Sequence, residues 1–249
     1  MKVKNIIEII EDLAPLNLQE DYDNSGLQVG DELTEVRSVL VCLDVTEAVV
    51  EEAHSRGCQM IVSHHPLIFK ALKCVSDKTY QQRCVVSALK YGISIYSAHT
   101  SLDNAPGGVC SKMAEKLNLK QNLGTSPLIG YLPEAIKTED FLDEIKRVFE
   151  VKVLRHSEIK KDYILKVALC GGAGAFLKEA ALAQGADCFI TGEFHYHDYF
   201  EADNMLLVEL GHYESEKCAI ELISQHIKNS FPEIDVKVTS LVTNPIILL

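Results

Sequence analysis

Short apolar runs of strand length alternate with amphipathic stretches along almost the whole chain, and this alternation constrains the fold more than any other feature. "SVLVCLDV" (38–45), "CQMIVS" (58–63), "ISIYSAH" (93–99), "YILKVALC" (163–170), "CFITGE" (188–193) and "MLLVELG" (205–211) are continuous rather than alternating in character. Runs of that kind suit strands covered on both faces. Helical patterns lie between them. Val3, Ile6, Ile7, Ile10 and Leu13 make one stripe in residues 3–14, the spacing of an amphipathic helix. Residues 78–92, 108–117, 138–149, 175–185 and 214–229 also read as helices. Thr46 is placed to cap one more, which Gly57 would stop. "VKVLRH" (151–156) and "DVKVTSLV" (235–242) add strands. The expected class is α/β, with sheets flanked by helices.

An internal echo bears on the domain count. "EEAHSRGCQMIVS" (51–63) resembles "KEAALAQGADCFIT" (178–191). Each is a helix stopped by Gly, with Ser or Thr closing a strand six residues later. A duplicated unit would give two similar α/β lobes, 1–124 and 125–249, divided within "NLGTSP", with the terminal strand free to cross back to the first lobe. Any two αβ units share part of this pattern, so a chance likeness stays open. A chain of 249 residues can bury a core under either arrangement.

The net charge is −12, from 24 Lys and Arg against 36 Asp and Glu, with no basic cluster. Binding nucleic acid needs a positive surface, so none is expected here. No apolar run approaches the ~20 residues that cross a bilayer. Residues 1–14 are too charged for a secretory leader. Eight cysteines are scattered without a CxxC pair, which reads as buried thiols in a reducing cytoplasm.

The histidines carry the chemistry. Of nine, His54, His156 and His226 sit alone on helices or strand surfaces. The other six, His64, His65, His99, His195, His197 and His212, fall at or just past the carboxyl ends of expected strands. In open α/β sheets ligands bind along that edge. Asp103, Glu193 and Glu216 lie there too. Asp103 and Glu216 follow a histidine by four residues, a spacing that shares one helix face. Imidazoles and carboxylates without thiolates suit Zn, Fe, Mn, Ni or Co. His64 and His65 are adjacent, and Pro66 disfavours a helical turn at His65. In extended chain the two rings should diverge. Two ions, each taking one ring, would suit that geometry; one ligand with the other ring behind it is the alternative. Asp23, Asn24 and Ser25 read as a turn. The Gly-rich turns "PGG" (106–108) and "CGGAG" (170–174) suit either a phosphate or close helix packing.

Taken together, "DNSGLQVG", "VSHHPLIF", "AHTSLDNAPGG", "CGGAG", "TGEFHYHD", "GHYESE" and "TNPI" resemble the GTP cyclohydrolase I type 2 homologue family, also called the Ngg-interacting-factor-three-like family. The motifs run in family order from residue 20 to residue 246, and the length matches compact members without an inserted middle domain. The resemblance implies two similar α/β lobes, a ring-shaped hexamer and a two-metal centre in the cleft between the lobes. It implies His64, His65, Asp103, His212 and Glu216 as ligands, with Glu216 bridging. His99, Glu193 and His197 match further motif positions, either behind the ligands or as acid–base groups. Tyr22 stands where many members have Trp, and His195 where Lys or Arg is common.

The expected function is a metal-dependent hydrolase with two divalent ions, acting on a nucleotide-like or phosphoester substrate. Opening of the GTP purine ring by attack at C8 is one such reaction. The alternative is a non-enzymatic ring that handles metal or binds partners. The expected partners are further copies of the chain and a small molecule, with no nucleic acid and no membrane. The expected location is cytoplasmic.

Overall fold

The computed structural model describes residues 1–124 and 126–248. The chain divides into two compact units, Met1–Ala105 with Ala219–Leu249, and Pro106–Cys218. The expected division between 124 and 125 falls on Thr125, which lies outside the described residues.

The first unit opens with α1 (Val3–Leu13), which buries Val3, Ile6, Ile7 and Ile10, the stripe read in the sequence. There follow β1 (Gly26–Val29), β2 (Ser38–Cys42), α2 (Glu47–Ser55), β3 (Met60–Ser63), α3 (Tyr80–Tyr91), β4 (Ser94–Ser97) and the short α4 (Thr100–Asp103). Every residue of β2, β3 and β4 is buried. These strands run parallel with Cys42, Ser63 and Ser97 level, so their carboxyl ends share one edge. The Thr46 hydroxyl accepts from Val49 N at 3.3 Å and starts α2, as expected. On one face Val49, Val50 and Ala53 of α2 and Cys84, Val85 and Ala88 of α3 pack with Leu40, Ile61 and Ile95. β1 pairs antiparallel with β4 and was not expected, because its sequence is polar and Gly-rich.

The second unit holds α5 (Val109–Lys116), β5 (Lys120–Leu123), β6 (Leu128–Lys137), α6 (Thr138–Phe149), β7 (Arg155–His156), β8 (Tyr163–Leu169), α7 (Lys178–Ala183), β9 (Cys188–Thr191), β10 (Leu206–Glu209) and α8 (His212–Glu216). Its sheet has the order β5-β6-β8-β9-β10-β7. β8, β9 and β10 are parallel, and the other three strands make it mixed. The α2–β3 and α7–β9 segments occupy like places, each ending on a strand with a parallel neighbour on either side. Ser63 and Thr191 close those two strands, as the echo anticipated. Ser63 Oγ donates to His65 O at 2.8 Å, and Thr191 Oγ1 donates to Gly172 O at 3.0 Å.

The chain then returns to the first unit through α9 (Cys218–Ser230) and β11 (Asp235–Val238). β11 joins β2 in parallel and completes the order β1-β4-β3-β2-β11. The single helix expected over 214–229 is two, α8 and α9, separated at Lys217. Seven of the eight cysteines are buried and Cys74 is exposed. Among the described residues, no helix is long and apolar enough to cross a membrane.

Candidate metal centre

Three imidazoles of the first unit follow β3 and β4, whose ends are level with that of β2. His64 and His65 follow β3 and stay bonded to the end of β2, outside the regular ladder, where His64 N donates to Cys42 O at 3.2 Å and His65 N to Leu43 O at 3.0 Å. His99 follows β4 and caps α4. Each ring has an acceptor at Nδ1. His64 Nδ1 lies 2.8 Å from Ala98 O, His65 Nδ1 2.7 Å from Asp44 Oδ1, and His99 Nδ1 2.7 Å from Asp23 Oδ1. An acceptor at Nδ1 draws the proton there and leaves the Nε2 lone pair to face a metal. One ligand atom from each of His64, His65 and His99 falls within 4.8 Å of the others, close enough for the three to hold an ion. Asp103, at the end of α4, brings Oδ1 to 3.6 Å from His64 Nε2.

The expected divergence of His64 and His65 is not found. Their ring centroids are 5.0 Å apart, inclined at 47°. The period-two rule applies only within a strand, and β3 stops at Ser63. Ser63 Oγ holds His65 O from behind, and the chain bends over the two histidines. His99 meets both rings edge-on at 5.4 Å.

The motif "DNSGLQVG" does more than turn the chain. The Asp23 side chain is fully buried. Its Oδ2 accepts from Ser25 Oγ at 2.9 Å, Thr100 N at 3.1 Å and Thr100 Oγ1 at 2.5 Å. Burial pushes this carboxyl up, but the hydrogen bond and charge of His99, with the bonds from Thr100 and Asn24 N, hold it well below the usual carboxylate range. Asp23 therefore stays an anion beneath His99. Asn24 Nδ2 donates to Ile68 O at 2.7 Å and ties the loop to the segment that carries His64 and His65. Asp23 was read as a turn residue, and Asp44 was not singled out. Asp44 stands just past the end of β2, the same positional signal that marked the histidines.

In the second unit the donors lie at the start of a helix. His212 begins α8 and Glu216 is one turn on, with His212 Nε2 3.0 Å from Glu216 Oε2. Glu193, past the end of β9, holds His212 Nδ1 at 2.6 Å. The pair fits because Gly171 and Gly172 leave room. Gly172 has φ +58°, and a Cβ there would overlap Glu216 Oε1 and lie 3.3 Å from His212 Nε2. Ser215 Oγ accepts from Gly172 N at 3.0 Å. Close packing, one of the two readings of "CGGAG", is seen here.

His195 and His197 join no metal-holding group among the described residues. They lie at a 3₁₀ turn over Tyr196–Glu201, where His197 packs with the exposed rings of Tyr196 and Phe200. Proximity to a strand end in sequence does not distinguish such a turn from the edge itself. The three isolated histidines are structural. His54 stacks on Tyr91, His156 Nδ1 meets Ser157 O, and His226 Nε2 meets Ile9 O.

A family model described as Duf34/NIF3 (NGG1p interacting factor 3) matches residues 1–245. The chain belongs to this family. A relative from Clostridium perfringens, named GTP cyclohydrolase 1 type 2 homolog, is 35% identical over 241 residues, covering 92% of each chain. One of the same name from Campylobacter jejuni is 34% identical over 231 residues, covering 92% of this chain and 93% of the relative. The solved structure of a Bacillus cereus protein related to NIF3 superposes with a TM-score of 0.91 at 23% identity, covering 100% of this chain and 99% of the other. The α/β fold with two mixed sheets is thus shared with NIF3 structures.

Proposed function

We propose that this family member is a metal-dependent hydrolase with two divalent cations, acting on a nucleotide-like or phosphoester substrate. In this reading the ions would be held by His64, His65 and Asp103 of the first unit and by His212 and Glu216 of the second, with Glu216 the carboxylate they would share. The carrying observation is the set of four imidazoles, each with Nδ1 against a backbone carbonyl or a carboxylate. That arrangement fixes the tautomer in which Nε2 of each ring is open, to a metal at His64, His65 and His212 and to a proton at His99. The Gly172 position, which a Cβ would close, supports the same reading for Glu216. Nitrogen and oxygen donors suit Zn, Fe, Mn, Ni or Co.

Ions held there would supply water activated near neutral pH and a positive charge for anionic oxygens. His99 is the acid–base group on this reading. Its Nδ1 is fixed on the buried Asp23 anion, so Nε2 takes a proton from the attacking water and returns it to the leaving group. Asp23 stabilises the imidazolium in between. Glu193 keeps His212 in its metal-binding tautomer, and His197 lies outside this machinery. The family likeness supports a homohexameric ring in the cytoplasm, and the relatives' name makes GTP the first substrate to try.

The test loads purified protein separately with Fe(II), Mn(II), Zn(II) or Co(II) and assays GTP, other nucleotides and phosphoesters. About two ions per chain are expected, with turnover on at least one substrate. His64→Ala and Glu216→Ala should each lower metal content by elemental analysis and abolish that turnover. Unchanged metal in both variants overturns the site. Full loading without turnover across the panel overturns the hydrolase and leaves a metal-handling ring.

A further inference from the structure

The C-terminal motif "TNPI" has no part in the reading above, yet its first residue reaches the ligand set. Thr243 Oγ1 donates to Asp44 Oδ2 at 2.7 Å. The other oxygen of the same carboxylate, Oδ1, takes His65 Nδ1 at 2.7 Å. Thr243, Asp44 and His65 thus form a relay of two short hydrogen bonds within the first unit. Thr243 is delivered to that place by a strut. After β11, Glu52 Oε2 accepts from Thr239 Oγ1 at 2.5 Å, and Glu52 Oε1 accepts from Ser240 N and Ser240 Oγ, each at 2.9 Å. Arg56 Nη1 donates both to Glu52 Oε1 at 2.8 Å and to Val238 O at 2.9 Å. Segment 239–243 is therefore pinned at both ends although it has no regular structure.

Asp23 offers an internal parallel. It too holds an imidazole by one oxygen while a threonine hydroxyl, that of Thr100, bonds the other. The threonine behind Asp23 is adjacent to its histidine in the chain, whereas the one behind Asp44 arrives 199 residues later. A carboxylate with one oxygen free to rotate orients a ring poorly; a hydroxyl on the far oxygen removes that freedom.

We infer that Thr243 is a positioning residue for the metal site, setting the His65 ring through Asp44. The inference rests on the metal-site reading of His65. It assigns a role to the C-terminal segment that packing alone does not require, since Thr243 is half-exposed and its neighbours Leu241, Val242, Ile246 and Ile247 are exposed.

The experiment measures Co(II) affinity of the full chain by chelator competition, together with the visible Co(II) absorption, for the parent, Thr243→Val, Thr243→Ser and His64→Ala. Thr243→Val keeps the shape and loses the hydroxyl. It should weaken Co(II) binding roughly three- to tenfold, up to the low end of what loss of an outer partner costs a metal-bound imidazole, and should shift the absorption bands. Thr243→Ser should restore both to near parental values. Denaturant unfolding of the metal-free Thr243→Val protein should match the parent, which separates positioning from folding. Parental affinity and spectrum in Thr243→Val, with binding lost in His64→Ala, overturn the relay alone. Equal weakening in Thr243→Val and Thr243→Ser assigns the effect to packing and overturns it as well. Retention of Co(II) by His64→Ala overturns the site reading and the relay with it.

Discussion

The donors of the two units are held in opposite ways. In the first unit the imidazoles stand past the ends of two buried parallel strands, β3 and β4, and the carboxylate behind His99 is 0% exposed. In the second unit His212 starts a five-residue helix, and the carboxylate behind it, Glu193, is 53% exposed. A strand end fixed by its neighbours' register places a ring without help from the ring's own packing. A short helix mouth does not, so the second unit relies on the close fit of Glu216 against Gly171 and Gly172. The first arrangement should fail when a polar partner is removed, the second when space is removed.

The largest expected effect comes from filling that space. Gly172→Ala should lower stability by about 3 kcal/mol, combining left-handed backbone strain with an overlap at the buried Glu216, and should reduce bound metal. Gly57→Ala shares the positive φ, but a Cβ there meets nothing within 4 Å. It should cost only about 1 kcal/mol and leave metal content unchanged. Urea unfolding and elemental analysis of the two variants compare crowding with strain directly. Equal losses in both would show that the fit at Glu216 is loose.

Removing polar partners should reverse the ranking of the units. Asp44→Asn, which removes the charge behind His65, should weaken Co(II) binding about 10- to 100-fold, the usual consequence of losing the group behind a metal-bound histidine. Glu193→Gln should weaken it by only a few-fold, because water competes for an exposed hydrogen bond. Similar losses from both would mean that burial behind the ring does not matter.

The smallest effect is one of pH. Burial pushes the Glu52 carboxyl up, but hydrogen bonds from Thr239, Ser240 and Arg56 outweigh it and bring the pKa down to about 2 from 4.5. A group lowered on folding contributes stability that is fully present above its unfolded pKa and is lost as pH falls towards its folded one. The stability gap between the parent and Glu52→Gln should therefore be full at pH 6 and shrink steadily below pH ~4.5. A gap that stayed constant down to pH ~3 would remove the strut's charge from the account.

Much of this was legible in the sequence where one period ran uninterrupted. The buried strands β2, β3, β4 and β9, the Thr46 cap and the α1 stripe follow from apolar spacing and turn residues alone. β1 was hidden because it is an edge strand whose flanks carry Asp, Asn and Gly, so turn chemistry masked it. β6 escaped because its second half, from Pro133 to Lys137, is largely exposed and shows no buried run. At the candidate site, positional reasoning singled out His64, His65, His99, Asp103, His212 and Glu216 but did not separate the strand edge from the exposed turn that carries His197. It also missed Asp44, because a lone acid after an apolar run carries no signal until the fold puts a ring beside it. The convergence of His64 and His65 was illegible for a related reason: the strand ends one residue before the rule that was applied to it.

The return of the chain to the first unit also sets an order of events during synthesis. β11, which lies beside β2, begins at Asp235, and the hydroxyl that steadies Asp44 belongs to Thr243. A nascent chain therefore carries His64, His65 and His99, and has made the whole second unit, well before the last strand of the first sheet exists. A product cut short before Asp235 would keep those histidines and lack both the closing strand and the relay behind His65. On the proposed reading, Thr243 is the last contributor to the first unit's site to be made, some 180 positions after His64.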